Sequence, residues 1–413
     1  MSRAAPKGAY AVTDSLFLWL LTDPAQPVLV GDLDLMRTTK GVSLRYADTW
    51  LARGFALSED LPLVTGDLLP GDRETAAGAV DDARPDRWGE RVIAIVDKPP
   101  RRSLLEYLYF AGHDRFGALG ISTSREDYAP HTTGPLPTLA DTSAIQALVL
   151  KVLGNEPVSE REKRLISPGA SMGGARPKAL LDIDGAQWVV KFAPQDPVDT
   201  PLIEHASMTL ARMADIRTAT TMTIRLADGH AVAIKRFDRS DSRRIHALSA
   251  NVALKAAGVS LGYPELAQLL RRKGVVEGDV YVVQMRELFR RMVFNILLDN
   301  TDDHEKNHVL LVNDAGHFEL SPAFDVLPSG QALGYQQMRV GTDEADATLT
   351  NAISMCSQFS LKKDEAVHEI RRVIDVIAGW KRHFASCGVG KNDIGQLVDQ
   401  IDRPFLADQR RGF

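Results

Sequence analysis

The stretch from Leu288 to Pro328 constrains this chain more than any other. It reads as an amphipathic helix, a polar loop and a β-hairpin, with an aspartate just beyond. In the helix, Leu288, Met292, Asn295 or Ile296, and Asp299 recur about a turn apart, which assigns Arg290 and Arg291 to the other face. Asn300 and Thr301 end it. A polar loop runs to Asn307. Val309 to Val312 and His317 to Leu320 then flank Asn313-Asp314-Ala315-Gly316, the pattern of a hairpin. Asp325 follows shortly after.

Asp302, Asn307 and Asp325 therefore sit on a loop and at a hairpin exit. A helix packed on a hairpin can bring the three oxygen-bearing side chains to one point. Mg²⁺ favours carboxylate and amide oxygens and completes its shell with water and phosphate. An aspartate, an asparagine five residues later, and a metal-binding aspartate after a hairpin is the layout of protein kinases. The plainer alternative is a solvated acidic loop, since Asp and Asn are common loop residues. The run His304-Glu305-Lys306-Asn307-His308 also matches the H-E-x-x-H zinc pattern. That site needs both histidines on a stable helix. Polar residues precede this run and a β-like run follows it, so a helix would last barely one turn. His304 is expected to be partly buried and to hold Asp302, and His308 to be exposed.

Upstream, Leu165 to Lys178 is a loop of small residues. Next come two apolar runs, Ala179 to Ile183 and Gln187 to Phe192, joined by Asp184-Gly185, a hairpin signature. Lys191 lies within the second run. Glycines let backbone N–H groups approach phosphate closely, and a strand lysine can hold phosphates as a point charge. This loop fits neither the Walker pattern nor G-x-G-x-x-G, and a strand-end lysine commonly faces water. Thr200 as cap and Pro201 open a helix whose Glu204 could pair with the lysine, although surface helices are full of glutamates. Another hairpin, Thr223 to Leu226 and Ala231 to Arg236, ends in Phe237-Asp238-Arg239. Helical patterns follow at Ser249 to Ala257, Tyr263 to Arg272, Asp279 to Leu298, Lys363 to Phe384 and Asp393 to Ile401.

Before this lies a β-rich start, residues 9 to about 75, with helices beginning near Pro85 and Ser103. No chemistry is legible in residues 1–130, whose expected role is packing or docking. Glu126 to Pro137 carries three prolines and reads as a linker. The fold class is α+β: a bilobal, protein-kinase-like fold with a β-rich N-terminal domain and an α-helical C-terminal lobe. The expected divisions are 1–128, 138–239 and 240–413.

A chain of 413 residues has room for these parts. Its net charge of −5 argues against a large nucleic-acid footprint of its own. The two cysteines, Cys356 and Cys387, form no metal spacing and fit a reducing compartment. With no signal-peptide layout and no apolar run of membrane length, a cytoplasmic protein is expected.

Together these motifs resemble the HipA family, the serine/threonine kinase toxins of bacterial type II toxin–antitoxin modules, over almost the whole chain. The resemblance rests on Ser171 to Lys178, Val190-Lys191-Phe192 and Lys235 to Arg239. It is sharpest at Asn300 to Asn307 followed by Leu320 to Asp325. Trp50-Leu51 and Leu57 to Leu63 resemble the family's N-terminal domain. The resemblance implies Asp302 as the catalytic aspartate, Asn307 and Asp325 as Mg²⁺ ligands, and Lys191 as the ATP-phosphate lysine. It implies Ser171 as a site of autophosphorylation. Gly173, Gly174, Ala175 and Lys178 would lie in the phosphate loop, and Arg236 and Phe237 would contact the adenine through backbone and ring, with Phe324 nearby. It also implies an aminoacyl-tRNA synthetase as target, a helix-turn-helix antitoxin as partner, and DNA reached only through that partner. Gly173, Pro177, Asp303 and Phe324 depart from the best-known members, and segment 241–260 resembles a subgroup with Leu248-Ser249-Ala250. These departures bear on the target and on toxicity. Two other functions share the motifs: a catalytically weak corepressor that holds an antitoxin on operator DNA, and a kinase acting on a small molecule.

Overall fold

A computed structural model describes residues 10–132, 134–169 and 174–413. Ser171 and Gly173 lie outside the described residues. The first sheet contains β1 (Ser15–Leu20), β2 (Val28–Met36), β3 (Gly41–Tyr46) and β4 (Leu119–Ser122), all antiparallel, in the order β3-β2-β1-β4. Its buried face carries Leu16, Leu18, Leu33, Val42 and Leu44. The helix Leu104–Phe110 belongs to the same core and starts with a capping box, Ser103 with Glu106.

The second sheet contains β5 (Lys178–Ile183), β6 (Ala186–Lys191), β7 (Thr221–Arg225) and β8 (His230–Lys235), antiparallel in the order β5-β6-β8-β7. Asp184 and Gly185 have φ of +52° and +76°, the two left-handed residues of a tight hairpin turn. The resulting register sets Lys178 opposite Lys191 at the open end of the hairpin. Trp88, Val92 and the helix Thr142–Gly154 supply the apolar cover of this sheet.

A two-strand ribbon, β9 (Arg239–Ser240) with β10 (Arg243–Arg244), leads into the third sheet. That sheet has the order β11 (His246–Ser249), β12 (Val309–Val312), β13 (Phe318–Leu320). β11 is absent from the sequence expectation. Four residues have no strong period of their own, and pairing with β12 makes them a strand. The remainder is largely helical. The expected helix from Lys363 to Phe384 is two, Lys363–Ala378 and Trp380–Ser386, broken at Gly379.

The helix Val280–Leu297 corrects one expectation. Arg290 and Arg291 do not face water; they are 9% and 3% exposed. Arg291 pairs with Glu287 one turn earlier and donates to the Ser321 carbonyl at 2.6 Å, while Arg290 donates to the Asp215 carbonyl at 3.0 Å. Most of their donors are met inside the protein, which makes burial tolerable, and Arg291 Nη1 is buried without a partner among the described residues.

Candidate active site

Lys191 ends β6, where the strand runs out over the helix Thr200–Met213. Asp199, rather than Thr200, caps that helix by accepting from the Leu202 N–H at 3.3 Å. Glu204 lies one turn in and is 2% exposed. The Lys191 ammonium donates to Glu204 Oε1 at 2.7 Å and to Asp325 Oδ1 at 2.7 Å. The pairing with Glu204 expected from sequence is therefore present, and Lys191 does not face water.

Asp325 follows β13 by five residues and has φ of +57°, a left-handed conformation that Asp tolerates better than most residues. Burial opposes ionisation of its carboxyl, but the charge and hydrogen bond of Lys191 outweigh burial and hold it at about 2. Burial and the neighbouring Asp325 push Glu204 upward against the pull of Lys191. Burial would lower the Lys191 ammonium, but Asp325 and Glu204 raise it. Two carboxylates thus share one cation and differ in access to solvent: the Asp325 side chain is 25% exposed, that of Glu204 3%.

The polar loop makes one 3₁₀ turn, Glu305–Asn307, between the long helix and β12. Its two histidines cannot form a helical zinc pair, and no three His, Cys, Asp or Glu side chains cluster for a metal among the described residues. Asp303 is 2% exposed and accepts from the Tyr263 hydroxyl and from His308 Nε2, the latter at 2.9 Å. His308 is therefore buried, against expectation, because Asp303 draws it inward. His304 Nδ1 accepts from the Lys306 N–H at 3.3 Å, which caps the turn and makes no bond to Asp302. Asp302 is exposed and makes no hydrogen bond among the described residues. Asn307 is 6% exposed, and its Oδ1 is buried with no partner among the described residues. Phe324 separates two spaces: Asn307 lines one with it, and Lys191 and Asp325 line the other.

Three aromatic rings wall the second space. Phe116 meets Phe237 edge-on at 5.7 Å, and Phe237 meets Phe324 at 5.4 Å. Free volume there is about 40 Å³. Ligand pockets typically hold roughly 300–1,000 Å³, so the cleft is closed and a nucleotide must part its walls. Gly174 and Ala175 are exposed, and Lys178 is buried beside them.

Arg236, expected at the adenine through its backbone, lines the cleft beside Phe237. Its guanidinium makes two bonds to Asp238, at 2.9 and 2.6 Å, and donates to the carbonyls of Asp114 and Arg115 at 2.7 and 3.0 Å. Its own N–H binds the Gln187 carbonyl at 3.0 Å. Arg236 thus joins the second sheet to the N-terminal domain. Sequence reasoning also missed Phe116, which lines the cleft from the region read as free of chemistry. Nothing in its local pattern marks that place.

A lysine–glutamate pair in a small β-rich lobe, facing an aspartate of a helical lobe, makes this a two-lobed, kinase-like protein. The HipA-like C-terminal domain matches residues 170–380, and the HipA N-terminal domain matches residues 26–122. The chain belongs to the HipA family. HipA of Shewanella oneidensis MR-1, solved with HipB and operator DNA, superposes with a TM-score of 0.65 at 16% identity, over 96% of this chain and 99% of that one. At that identity the likeness is one of fold. A protein of Sinorhizobium fredii named "Putative kinase Y4dM" is 28% identical over 287 residues, which is 66% of this chain and 64% of the relative. This chain therefore aligns with just under two thirds of that relative's length. No helix among the described residues is long and apolar enough to cross a membrane.

Proposed function

We propose that this chain is an ATP- and Mg²⁺-dependent serine/threonine-protein kinase of a HipA-type toxin–antitoxin module. The observation that carries the reading is Lys191, buried and held between Glu204 and Asp325. Burying a charge is costly, and a site that maintains one beside an ionised carboxylate is built for charged ligands.

The residues fit the cofactors. Asn307 Oδ1 is a buried acceptor without a donor, and Asp325 is an ionised carboxylate; both are hard oxygen ligands of the kind Mg²⁺ takes. With Phe324 moved aside, both could reach one metal, which would neutralise charge on the phosphates. Lys191 would leave Asp325 for the phosphate oxygens, with Glu204 keeping its ammonium in place. Phe237 and Phe324 would part to admit the base and then exclude water from it. Asp302, exposed to an incoming acceptor, would orient the hydroxyl. That oxygen attacks the γ-phosphorus, the bond to the β,γ-bridging oxygen breaks, and ADP leaves with the electron pair. Asp302 takes the hydroxyl proton late, so catalysis is mostly positioning and charge neutralisation.

The same proposal includes Ser171 as an autophosphorylation site. A phosphate there adds roughly −1.5 to −2 charge beside residues meant to hold phosphate, and should switch the kinase off. It also includes a helix-turn-helix antitoxin, DNA contact through that partner, and an aminoacyl-tRNA synthetase as target class. The closed cleft favours one competing reading, a corepressor whose nucleotide site is idle.

Incubation with labelled ATP and Mg²⁺, followed by mass spectrometry, separates the two. The kinase reading predicts phosphate on Ser171 in the parent and a loss of about 10²–10⁴-fold in rate for Asp302→Ala, with ATP still bound. Near-normal turnover in that variant would remove Asp302 from its role. Absence of both incorporation and ATP binding in the parent would leave the corepressor.

A further inference from the structure

The hairpin register creates an electrostatic problem. Lys178 and Lys191 stand directly opposite each other on β5 and β6, and like charges in that relation repel. Lys191 has Glu204 and Asp325. Lys178, 3% exposed, donates to Asp86 Oδ2 at 2.6 Å. Asp86 lies 92 residues earlier, in the N-terminal domain.

Asp86 is itself held. Its other oxygen accepts from the Gly89 N–H at 2.8 Å and caps the helix Arg87–Val92. On the same helix Trp88 Nε1 donates to the Lys178 carbonyl at 2.8 Å. One short helix therefore grips both the side chain and the backbone of Lys178. It also touches the chain on the other side of residues 170–173. A Cβ on Gly89 would strike the Pro168 carbonyl oxygen, so helix and turn lie in direct contact there. The Phe116 N–H binds the Gly169 carbonyl at 3.2 Å. Both flanks of the expected phosphate loop thus rest on the N-terminal domain. Lys178 also lines the cleft with Lys191 and Asp325, and its charge acts on Asp325.

We propose that Asp86 is a positioning residue of the nucleotide site: by holding Lys178, it lets the N-terminal domain set the affinity for nucleotide phosphates. The inference rests on the ATP reading above and adds a role for a domain outside the kinase-like lobes. Without the Asp86 charge, Lys178 turns toward Asp325, which is needed for the metal, and presents itself poorly to phosphate.

The test is calorimetric binding of ATP, ADP and adenosine to the full chain, with no turnover required. Asp86→Asn keeps a capping oxygen and removes the charge. ATP and ADP should bind at least about tenfold more weakly, the scale of one charge-assisted hydrogen bond, while adenosine changes little. Asp86→Glu should restore part of the loss. Lys178→Met should show the same selective loss, and the double variant Asp86→Asn/Lys178→Met no more than Lys178→Met alone, since the two act as one unit. The double variant also removes both buried charges together, so it serves if Asp86→Asn does not fold. A purely structural Asp86 would weaken all three ligands alike or none, and either result overturns the inference. Parent protein that binds ATP, with variants that keep the parent's ATP-to-adenosine ratio, overturns the inference alone. Folded parent that binds no ATP overturns the nucleotide reading and this inference with it.

Discussion

Two buried charge clusters lie at opposite ends of the same strands and behave differently. In the first, two carboxylates, Glu204 and Asp325, share the single cation of Lys191. In the second, two cations, Arg236 and Arg239, share the single carboxylate of Asp238, which is fully buried. The second is tied off by backbone: Asp238 accepts from the Gly117 N–H at 2.8 Å, and the arginines donate to the carbonyls of Asp114, Arg115 and Gly117. The first has a carboxylate that reaches solvent. An excess of anion open to solvent invites a cation and a phosphate chain. An excess of cation spent on backbone carbonyls joins two domains. Counting charges would rank the clusters equal; following each donor to its end separates a binding site from a joint.

The sharpest way to break this comparison is to remove the central anion of the joint. Asp238→Asn leaves two buried guanidinium groups without a counter-charge and should cost about 3–5 kcal/mol of stability, read by chemical denaturation. ATP affinity of the molecules that remain folded should be unchanged; a selective loss of affinity would make the joint part of the site. Asp325→Asn should do the reverse. Phosphoryl transfer should fall roughly 10²-fold or more, since the metal's charge neutralisation is worth several kcal/mol. Stability should fall less than in Asp238→Asn, because Lys191 keeps Glu204. A large drop in melting temperature with normal turnover would exchange the two roles.

A smaller effect lies in pH. Burial opposes ionisation of Asp238, but Arg236 and Arg239 hold its carboxyl at about 2, below the ordinary 3.8. A depressed acid stabilises the fold above its ordinary value, and that contribution is lost as pH falls from about 4 through about 2. The loss should amount to roughly 2 kcal/mol, and Asp238→Asn should flatten the stability profile across that window. An equally steep acid limb in the variant would show that the joint does not govern it.

Much of the site was legible in sequence because its markers are local. Asp184-Gly185 between apolar runs requires a hairpin, and that hairpin carries Lys191. Asp302 and Asn307 sit in a polar break between a helix and a strand, and Asp325 follows the next hairpin. What the Arg236 side chain does was not legible, because sequence position at a strand end says nothing about where a long side chain points. His308 was taken as exposed because its anchor, Asp303, looks like any loop aspartate until Tyr263 closes over it.

The sequence by itself determined the order of the elements and their chemistry, since turns, caps and apolar periods act over a few residues. Only the tertiary structure decided which charges are buried and with whom. Asp86 meets Lys178 across 92 residues and Asp325 meets Lys191 across 134. Such pairs form when packing excludes water from both partners at once, and that exclusion depends on distant surfaces meeting rather than on any local pattern.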